Sequence, residues 1–244
     1  MMRAIEELSM NAWPALQTLH YDGWVLCTAD GYTKRANSVY PLYPAEIDVD
    51  EKIEFCASFY WDQGLPTVFK VTESSTPSNL DDRLETLGYR MDSPTSVQLL
   101  KLHTGNYEVM ANVGLISTDS EEWHTAFARM NHVDESRRIT HERILRAILP
   151  DKCYASVNEN GHIIGCGLGV LQAGHLGIFD IVIDPDQRRR GYGTDLMNAL
   201  LAWGQEAGAN MAYLQVMCDN EPALRLYDKL GFQEKYQYWY RIKP

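Results

Sequence analysis

The chain has 244 residues, of which 45% are hydrophobic and 11% aromatic, a composition that supports a folded core and excludes a disordered tail protein. Its 22 basic and 33 acidic residues give a net charge of −11, which argues against sequence-independent binding to nucleic-acid phosphates. Five cysteines without a C-x-x-C pair indicate reduced thiols rather than a disulfide framework or a structural zinc site. The acidic N-terminal segment and the lack of a long apolar run predict a cytoplasmic protein without a membrane partner.

Apolar periodicity and Gly/Pro punctuation divide the first half of the chain into helices and strands. The predicted elements are, in order, a helix ending near Trp13-Pro14, a strand pair over 23–42 turning at Asp30-Gly31, a helix over 48–64, a strand over 66–72, a helix over 77–89 and a strand over 96–102. Gly105 and Asn106 then interrupt the pattern. The sequence therefore predicts two domains, residues 1–103 and 104–244.

The second half continues the alternation of helices and strands. The predicted elements are helices over 121–130 and 136–148, strands over 153–157, 162–171 and 177–183, a helix over 194–208, a strand over 212–217, a helix over 221–230 and a last strand over 233–242. This order predicts an α/β (α+β) domain with a mixed sheet.

The two halves share a short internal repeat. Residues 80–90 align with residues 223–233, so that Leu87-Gly88-Tyr89 matches Leu230-Gly231-Phe232. Each copy lies between two predicted strands, as expected of one strand–helix–strand unit used twice. A helix that ends at glycine followed by an aromatic residue would align in the same way without a repeat, because glycine provides the left-handed C-cap.

The strongest local signal follows the strand that ends at Ile183. After a turn at Asp184-Pro185, the segment Arg188-Arg189-Arg190-Gly191-Tyr192-Gly193 precedes a long helix. Glycine allows close approach of the backbone to a ligand, and the first N–H groups of a helix have no intrahelical acceptor. With the helix dipole and the arginines, this segment predicts a pyrophosphate site. The alternative is a helix start with a solvated basic turn.

A second signal lies in residues 214–232. Asn220 ends a strand, Pro222 fits the first turn of a helix, and Tyr227 shares a helix face with Ala223 and Leu230. A tyrosine at such a position is either a core residue or a proton donor, since it is protonated at neutral pH.

These two segments, in this order, resemble the GNAT superfamily of N-acetyltransferases over about 107–244. The first matches the family's (Q/R)-x-x-G-x-(G/A) acetyl-CoA loop, and the second its following strand and helix. The resemblance implies the GNAT acyl-CoA N-acyltransferase fold. It also implies an enzyme that transfers acetyl from the co-substrate acetyl-CoA directly to a primary amine in a ternary complex, without a metal.

The resemblance also implies roles for individual residues. The strand end would lie along the pantetheine arm, the loop would hold the pyrophosphate, and a following asparagine would contact the cofactor arm. The predicted cofactor-binding residues are Ile181, Val182, Ile183, Arg188, Arg189, Arg190, Gly191, Tyr192, Gly193, Thr194 and Asn220. Tyr227 would protonate the departing thiolate. Some family members carry a glutamate base where this chain has Gly177, so Asp180 becomes the candidate base. The alternatives are a water chain as the base and an Asp180 that only orders a strand bulge.

The first half resembles the same fold without its cofactor loop. The acidic segment 43–51 precedes its helix, and Leu84 aligns with Tyr227. We therefore predict that residues 1–103 are a smaller, degenerate GNAT-like domain that shapes the substrate cleft or a dimer surface. The rival functions are a non-catalytic acyl-CoA-binding sensor or regulatory module and a structural two-domain protein. The acceptor is expected to be a small-molecule or peptide amine, and net charge does not choose among these. A homodimer is compatible with exposed strand edges.

Three further features have simpler interpretations. Residues 165–170 contain three glycines within a strand pattern, which favours a hairpin arm over a dinucleotide site. His141-Glu142 is interpreted as the solvated face of a helix, and the spacing of the histidines does not suggest a metal site. Tyr236, Tyr238 and Tyr240 share one strand face and either line an aromatic acceptor pocket or pack between the two halves.

Overall fold

The computed structural model describes residues 1–102 and 107–243, so the predicted boundary between residues 103 and 104 lies outside the described residues. The chain forms two compact units. The first consists of Met1–Ser96 with the C-terminal residues from Tyr236 onward, and the second of Val97–Lys235. This division places most of the last strand, from Tyr236 onward, with the first unit. Strand pairing depends on contacts distant in sequence, which local patterns do not report.

The first unit contains three helices and a sheet. Its elements are α1 (Met2–Ala12), β1 (Gln17–Tyr21), β2 (Trp24–Thr28), β3 (Val39–Pro41), α2 (Val49–Trp61), β4 (Thr67–Thr72), α3 (Leu80–Thr86) and the start of β5 (Arg90–Lys101). The sequence prediction missed β1, whose residues are mostly exposed and show little alternation between buried and exposed side chains. The β2 strand pairs antiparallel with both β1 and β3, and β3 pairs parallel with β4.

The second unit contains the remaining helices. Its elements are the end of β5, β6 (Val113–Ile116), α4 (Glu121–Met130), α5 (Glu135–Arg146), β7 (Asp151–Glu159), β8 (His162–Gln172), β9 (His175–Ile183), α6 (Tyr192–Glu206), β10 (Met211–Met217), α7 (Glu221–Lys229) and the start of β11 (Gln233–Lys243). The strand order in this unit is β5-β10-β9-β8-β7-β6. The β9–β10 pair is parallel, whereas β6 to β9 form antiparallel pairs. Of these elements, β6 was not predicted.

Side-chain caps explain why several helix limits could be predicted. The side chain of Ser120 accepts a hydrogen bond from the backbone N of Trp123, and that of Asp134 accepts one from Arg137. Asn220 caps α7 in the same way. These residues satisfy backbone donors that would otherwise be unpaired at the helix N-terminus. Among the described residues, no helix is both long enough and apolar enough to cross a membrane.

The two copies of the internal repeat end in the same way. The N–H of Tyr89 donates to the carbonyl of Leu84, and the N–H of Phe232 donates to that of Tyr227, each at 3.0 Å. The preceding glycines have φ values of 86° and 88°. A glycine C-cap alone requires this geometry, so it fits both interpretations of the alignment.

Tyr236, Tyr238 and Tyr240 are buried in the first unit, with exposed fractions of 6%, 2% and 4%. They surround a buried ion pair in which Nζ of Lys70 lies 2.6 Å from Oε2 of Glu6. The hydroxyl of Tyr236 donates to Oε1 of Glu6 at 2.6 Å, and the ring centroid of Tyr238 lies 3.8 Å from the ammonium. These tyrosines are therefore core residues of the first unit.

Lys70→Met is expected to lower the free energy of unfolding by about 3–5 kcal/mol, because it leaves Glu6 as an uncompensated buried charge. Both side chains of the pair are 0% exposed, so water cannot replace the lost partner. Urea denaturation of Lys70→Met and of the double variant Glu6→Gln/Lys70→Met measures the effect. The double variant should be the more stable of the two; equal stability would contradict this interpretation.

Candidate active site

The end of β9 carries a β-bulge. In the register with β8, Cys166 pairs with Val182 and Leu168 pairs with Phe179, so Asp180 and Ile181 together oppose a single residue. Asp180 has a φ of 55°, a left-handed conformation that aspartate adopts more readily than most residues. Bulges of this kind change the direction of a side chain next to a functional site.

Beyond the bulge, the neighbouring strands separate. The parallel pairing of β9 with β10 runs from His175–Met211 to Ile178–Leu214 and, in the described part of the chain, does not continue further. Both strands nevertheless extend beyond it, to Ile183 and Met217. The facing edges of the two strand ends therefore have backbone groups available to an extended ligand that inserts between them.

The loop after β9 presents a row of backbone donors. Gly191 is the N-cap of α6 with a φ of 91°, and Arg189 has a φ of 64°. Within the described ranges, the backbone N–H groups from Arg189 to Gly193 have no acceptor. The N–H of Thr194, by contrast, already donates to the carbonyl of Gly191 at 2.8 Å. Left-handed residues turn successive N–H groups to one side and so form an anion-binding concavity.

Three arginines give this loop positive charge, and two carboxylates lie nearby: Asp195 in the first turn of α6 and Glu159, which accepts from the hydroxyl of Tyr192 at 2.9 Å. Arg188, Arg189 and Arg190 are exposed, and Nε of Arg188 donates to the carbonyl of Ile183 at 3.1 Å. The positive end of the α6 dipole adds to their field. A Cβ at Gly191 would have no atom within 4 Å, so the loop is open to solvent at its centre. The arrangement fits a pyrophosphate group.

Contacts on both sides fix the start of the loop. Arg129 on α4 donates to Asp184 at 2.7 Å and to the carbonyl of Ile163 at 2.9 Å. The Arg129 guanidinium lowers the pKa of Asp184. On the other face, Ile181 and Ile183 fill the space above the glycines of β8. Their Cδ1 atoms would lie 2.7 Å and 2.5 Å from Cβ atoms built on Gly167 and Gly165.

The hairpin-arm interpretation of residues 165–170 is confirmed, since β8 pairs with both β7 and β9.

The second sequence segment lies next to the first. A Cβ built on Gly193 would lie 3.3 Å from Cδ2 of Leu226 on α7 and 4.0 Å from Cγ1 of Ile183. The structure thus brings together the end of β9, the start of α6 and the residue next to Tyr227. The Oδ1 atom of Asn220 accepts from the N–H of Ala223 at 3.3 Å, so its amide NH₂ is the part suited to a ligand.

Tyr227 belongs to the core of the second unit and is 8% exposed. Its ring lies edge-on to Phe232, with centroids 6.0 Å apart. Burial raises the pKa of Tyr227 to about 12. Its hydroxyl has no hydrogen-bond partner within the described residues. A neutral, protonated hydroxyl that is not used in the fold can donate to a ligand.

Asp180 is held by a residue that the sequence analysis misinterpreted. Nε2 of His141 lies 2.8 Å from Oδ2 of Asp180. His141 and Glu142 are 1% and 6% exposed, so the expected solvated helix face was wrong. The amphipathic pattern of α5 is weak, and a contact 39 residues away leaves no trace in local spacing.

At Gly177, where some family members carry a glutamate base, packed side chains leave no space for a side chain in this protein. A Cβ built on Gly177 would lie 2.6 Å from the hydroxyl oxygen of Tyr213 and 2.7 Å from Cε2 of Phe179. Tyr213 is 1% exposed, so its ring is fixed above Gly177. A larger residue at Gly177 would therefore displace packed side chains. Sequence reasoning did not single out Tyr213, which has the pattern of any buried strand residue.

The N-terminus of α2 in the first unit differs chemically from that of α6. The side chain of Asp48 caps it by accepting from the N–H of Asp50, and Asp50 and Glu51 lie in its first turn. Asp50 is itself paired with Arg83 through Nε at 2.6 Å. This helix end already holds carboxylates. In the described ranges, no three His, Cys, Asp or Glu side chains are grouped so that they could hold a metal ion.

Comparison with known proteins gives two kinds of match. Residues 1–241 match the family described as "Probable histone acetyltransferase Rv0428c C-terminal". The uncharacterized N-acetyltransferase YobR of Bacillus subtilis is 29% identical over 247 residues, which cover 99% of this chain and 98% of that protein.

Solved structures share the fold at low sequence identity. A GCN5-related N-acetyltransferase from Kribbella flavida matches with a TM-score of 0.71 and 15% identity, over 99% of this chain and 95% of its own. A tandem GNAT protein from the clavulanic acid biosynthesis pathway matches with a TM-score of 0.67 and 12% identity, over 98% of this chain and 87% of its own. At these identities the likeness concerns the fold alone.

Proposed function

The chain belongs to the acetyltransferase family that its residues 1–241 match and has the mixed α/β fold of GNAT N-acetyltransferases, and on that premise we propose that it transfers acetyl from acetyl-CoA directly to a primary amine. The observation that carries this proposal is the row of unpaired N–H groups from Arg189 to Gly193, beside strands that separate beyond Ile178.

The co-substrate fits this site in three parts. The pyrophosphate accepts from the row of N–H groups, with Arg188, Arg189 and Arg190 supplying positive charge. The pantetheine amides pair with the free edge of Ile181–Ile183 as an added strand would. The side-chain NH₂ of Asn220 donates a hydrogen bond to the same pantetheine arm. Thr194 contributes through its hydroxyl or the dipole of α6, since its N–H is already bonded.

Aminolysis of the thioester needs a neutral amine and a proton for the sulfur. A lysine-like amine, with a pKa of about 10.4, is mostly protonated at pH 7, and freeing its lone pair costs roughly 4.6 kcal/mol. We assign that proton to Asp180. The amine nitrogen then attacks the carbonyl carbon, and a backbone N–H near the bulge stabilises the developing oxyanion. The C–S bond breaks as Tyr227 gives its proton to sulfur. The second amine proton then passes through water to the phenolate of Tyr227, which leaves a neutral amide and restores the hydroxyl.

Both substrates are bound together in this scheme. Four of the cysteines are buried, and burial raises the pKa values of Cys153 and Cys166 in the second unit, which disfavours the thiolate that a covalent acetyl-enzyme would need. The fifth cysteine, Cys218, is half-buried and lies just after β10. We propose direct transfer in a ternary complex, in which no cysteine is acetylated.

Residues 1–103 have a different role in this proposal. The N-terminus of α2 repels phosphate because Asp48, Asp50 and Glu51 lie there. Leu84, aligned with Tyr227, is fully buried and carries no proton donor. We propose that this half is a degenerate GNAT-like domain that does not bind acetyl-CoA.

The alkaline limb of kcat is expected to lie above pH 10. Tyr227 acts as an acid, so its contribution is present while it is protonated and is lost as the pH rises through its pKa, which burial raises to about 12. With a saturating amine, kcat should not decline between about pH 8 and about pH 10.5. Circular dichroism at each pH provides the folding control. A decline centred on pH 10 would indicate a solvated tyrosine and contradict the assignment.

The proposed function is tested by incubating the chain with acetyl-CoA and a panel of amines, comprising a polyamine, an aminoglycoside-like amine, free amino acids and a peptide with a free N-terminus. Mass spectrometry should detect an N-acetylated product from at least one of these classes. Stoichiometric binding of acetyl-CoA without any acetylated product would favour the non-catalytic sensor.

A further inference from the structure

The side chain of His141 on α5 contacts the bulge of β9. Its Nε2 lies 2.8 Å from Oδ2 of Asp180, and the two side chains are 1% and 11% exposed. Phe127 stacks on the imidazole with centroids 4.4 Å apart and an interplanar angle of 20°, which fixes the plane of the ring. An ionised carboxylate only accepts hydrogen bonds, so the imidazole is the donor. A separate helix therefore holds the carboxylate of Asp180 from the buried side.

Other groups that face this pair are neutral or belong to a second pair. Burial is the main cause that raises the pKa values of Tyr154 on β7 and Cys166 on β8, and the charge of Asp180 adds to both. On α4, His124 lies 6.1 Å from His141 between ring centroids and contacts Asp119 at 2.5 Å. Arg146 on α5 pairs with that same Asp119 at 2.7 Å. The charge of Arg146 is therefore paired with Asp119 and not with Asp180.

We propose that His141 is a positioning residue for acetyl transfer: its Nε2–H holds the carboxylate of Asp180 in the orientation that takes the proton of the acceptor ammonium. This inference rests on the proposed function. The amine proton passes to the carboxylate and then to solvent, while the imidazole keeps its own proton throughout. Without this hydrogen bond the carboxylate could turn away from the acceptor, and misplaced catalytic groups lower the rate of transfer.

The test is the kcat and kcat/KM of four variants with the amine found above. Asp180→Asn should lower kcat by about 100-fold or more, as expected for loss of a general base. His141→Ala should lower kcat and kcat/KM by about 10-fold or more, since the carboxylate loses the contact that orients it. His141→Gln, whose amide can donate in place of Nε2–H, should restore most of both. Adding His141→Ala to Asp180→Asn should change kcat by less than about twofold.

His124→Gln is the matched control. His124 is as buried as His141, contacts Trp123 and Tyr154 in the same aromatic cluster, and bonds to Asp119 instead of Asp180. This variant should change thermal stability without lowering kcat. An unchanged kcat in His141→Ala, or equal losses of kcat with and without Asp180, would overturn the inference. Absence of turnover by the wild-type chain would overturn the proposed function as well.

Discussion

Gly191→Glu is expected to weaken acetyl-CoA binding by at least about 100-fold. Gly191 lies at the centre of the row of backbone N–H groups from Arg189 to Gly193, here called the donor row. It has a φ of 91° and open space around it, so the new carboxylate would lie in solvent at the helix N-terminus. There it competes for the same N–H groups and repels the pyrophosphate, and a like-charge contact costs several kcal/mol. Isothermal titration calorimetry with acetyl-CoA and with CoA measures the loss. The same loss for both ligands would assign the effect to the shared pyrophosphate.

Two variants separate charge from backbone strain in this experiment. Gly208 follows the other end of α6, with a φ of 90° and no atom within 4 Å of a built Cβ. Gly208→Glu therefore introduces the same charge and the same strain of about 1–2 kcal/mol, away from the donor row. It should bind acetyl-CoA like the wild type. Gly191→Ala adds strain without charge and should lose much less affinity than Gly191→Glu. Equal losses in Gly208→Glu and Gly191→Glu would contradict the location of the site.

Tyr227→Phe is expected to lower kcat by about 100-fold to 10,000-fold while the Kd of acetyl-CoA changes by less than about twofold. The variant removes only the hydroxyl, and the ring keeps its contact with Phe232. Because no described residue bonds to that hydroxyl, the free energy of unfolding should change by less than about 1 kcal/mol. Pre-steady-state thiol release with saturating acetyl-CoA measures the transfer step. Equal losses in kcat and in affinity would refute the proton-donor role.

Tyr60→Phe gives the opposite pattern as a control. The hydroxyl of Tyr60, fully buried in the first unit, donates to the carbonyl of Cys27 at 2.9 Å and accepts from its N–H at 3.2 Å. Its removal takes a donor from the buried carbonyl of Cys27, whereas the N–H of Cys27 keeps its bond to the carbonyl of Ser38 at 3.1 Å. The protein should lose about 1 kcal/mol or more of stability. The kcat should be unchanged. A large loss of kcat in both tyrosine variants would indicate that general destabilisation explains the effect at Tyr227.

Most elements of the second unit could be predicted because their signals are local, and β6 is the exception. The limits of α4 agree with the prediction at both ends, since Ser120 provides a cap and the apolar residues repeat with the helical period. The loop from Arg188 to Gly193 combines glycine, arginine and a helix start within a few residues. Its contact with α7 through Leu226 follows from neighbouring strand ends.

What could not be predicted depends on distant pairing. The last strand, β11, pairs antiparallel with β4, and no local pattern in residues 233–242 selects that partner. His141 has an ordinary helical context, and only the fold shows that it contacts Asp180. The same holds for Tyr213, which occupies the space above Gly177. The motifs of the proposed cofactor site were therefore accessible from the sequence, whereas the side chains that support them were not.

The central claim is that the donor row after β9 serves acetyl transfer to an amine. The most direct measurement is the rate of CoA thiol release with saturating acetyl-CoA, with and without the amine, for the wild type, Gly191→Glu and Gly208→Glu. We predict an amine-dependent rate in the wild type and in Gly208→Glu, and a rate at the uncatalysed background in Gly191→Glu. An amine-dependent rate that survives Gly191→Glu, or a wild-type chain that binds acetyl-CoA but releases no thiol with any amine, would contradict this account.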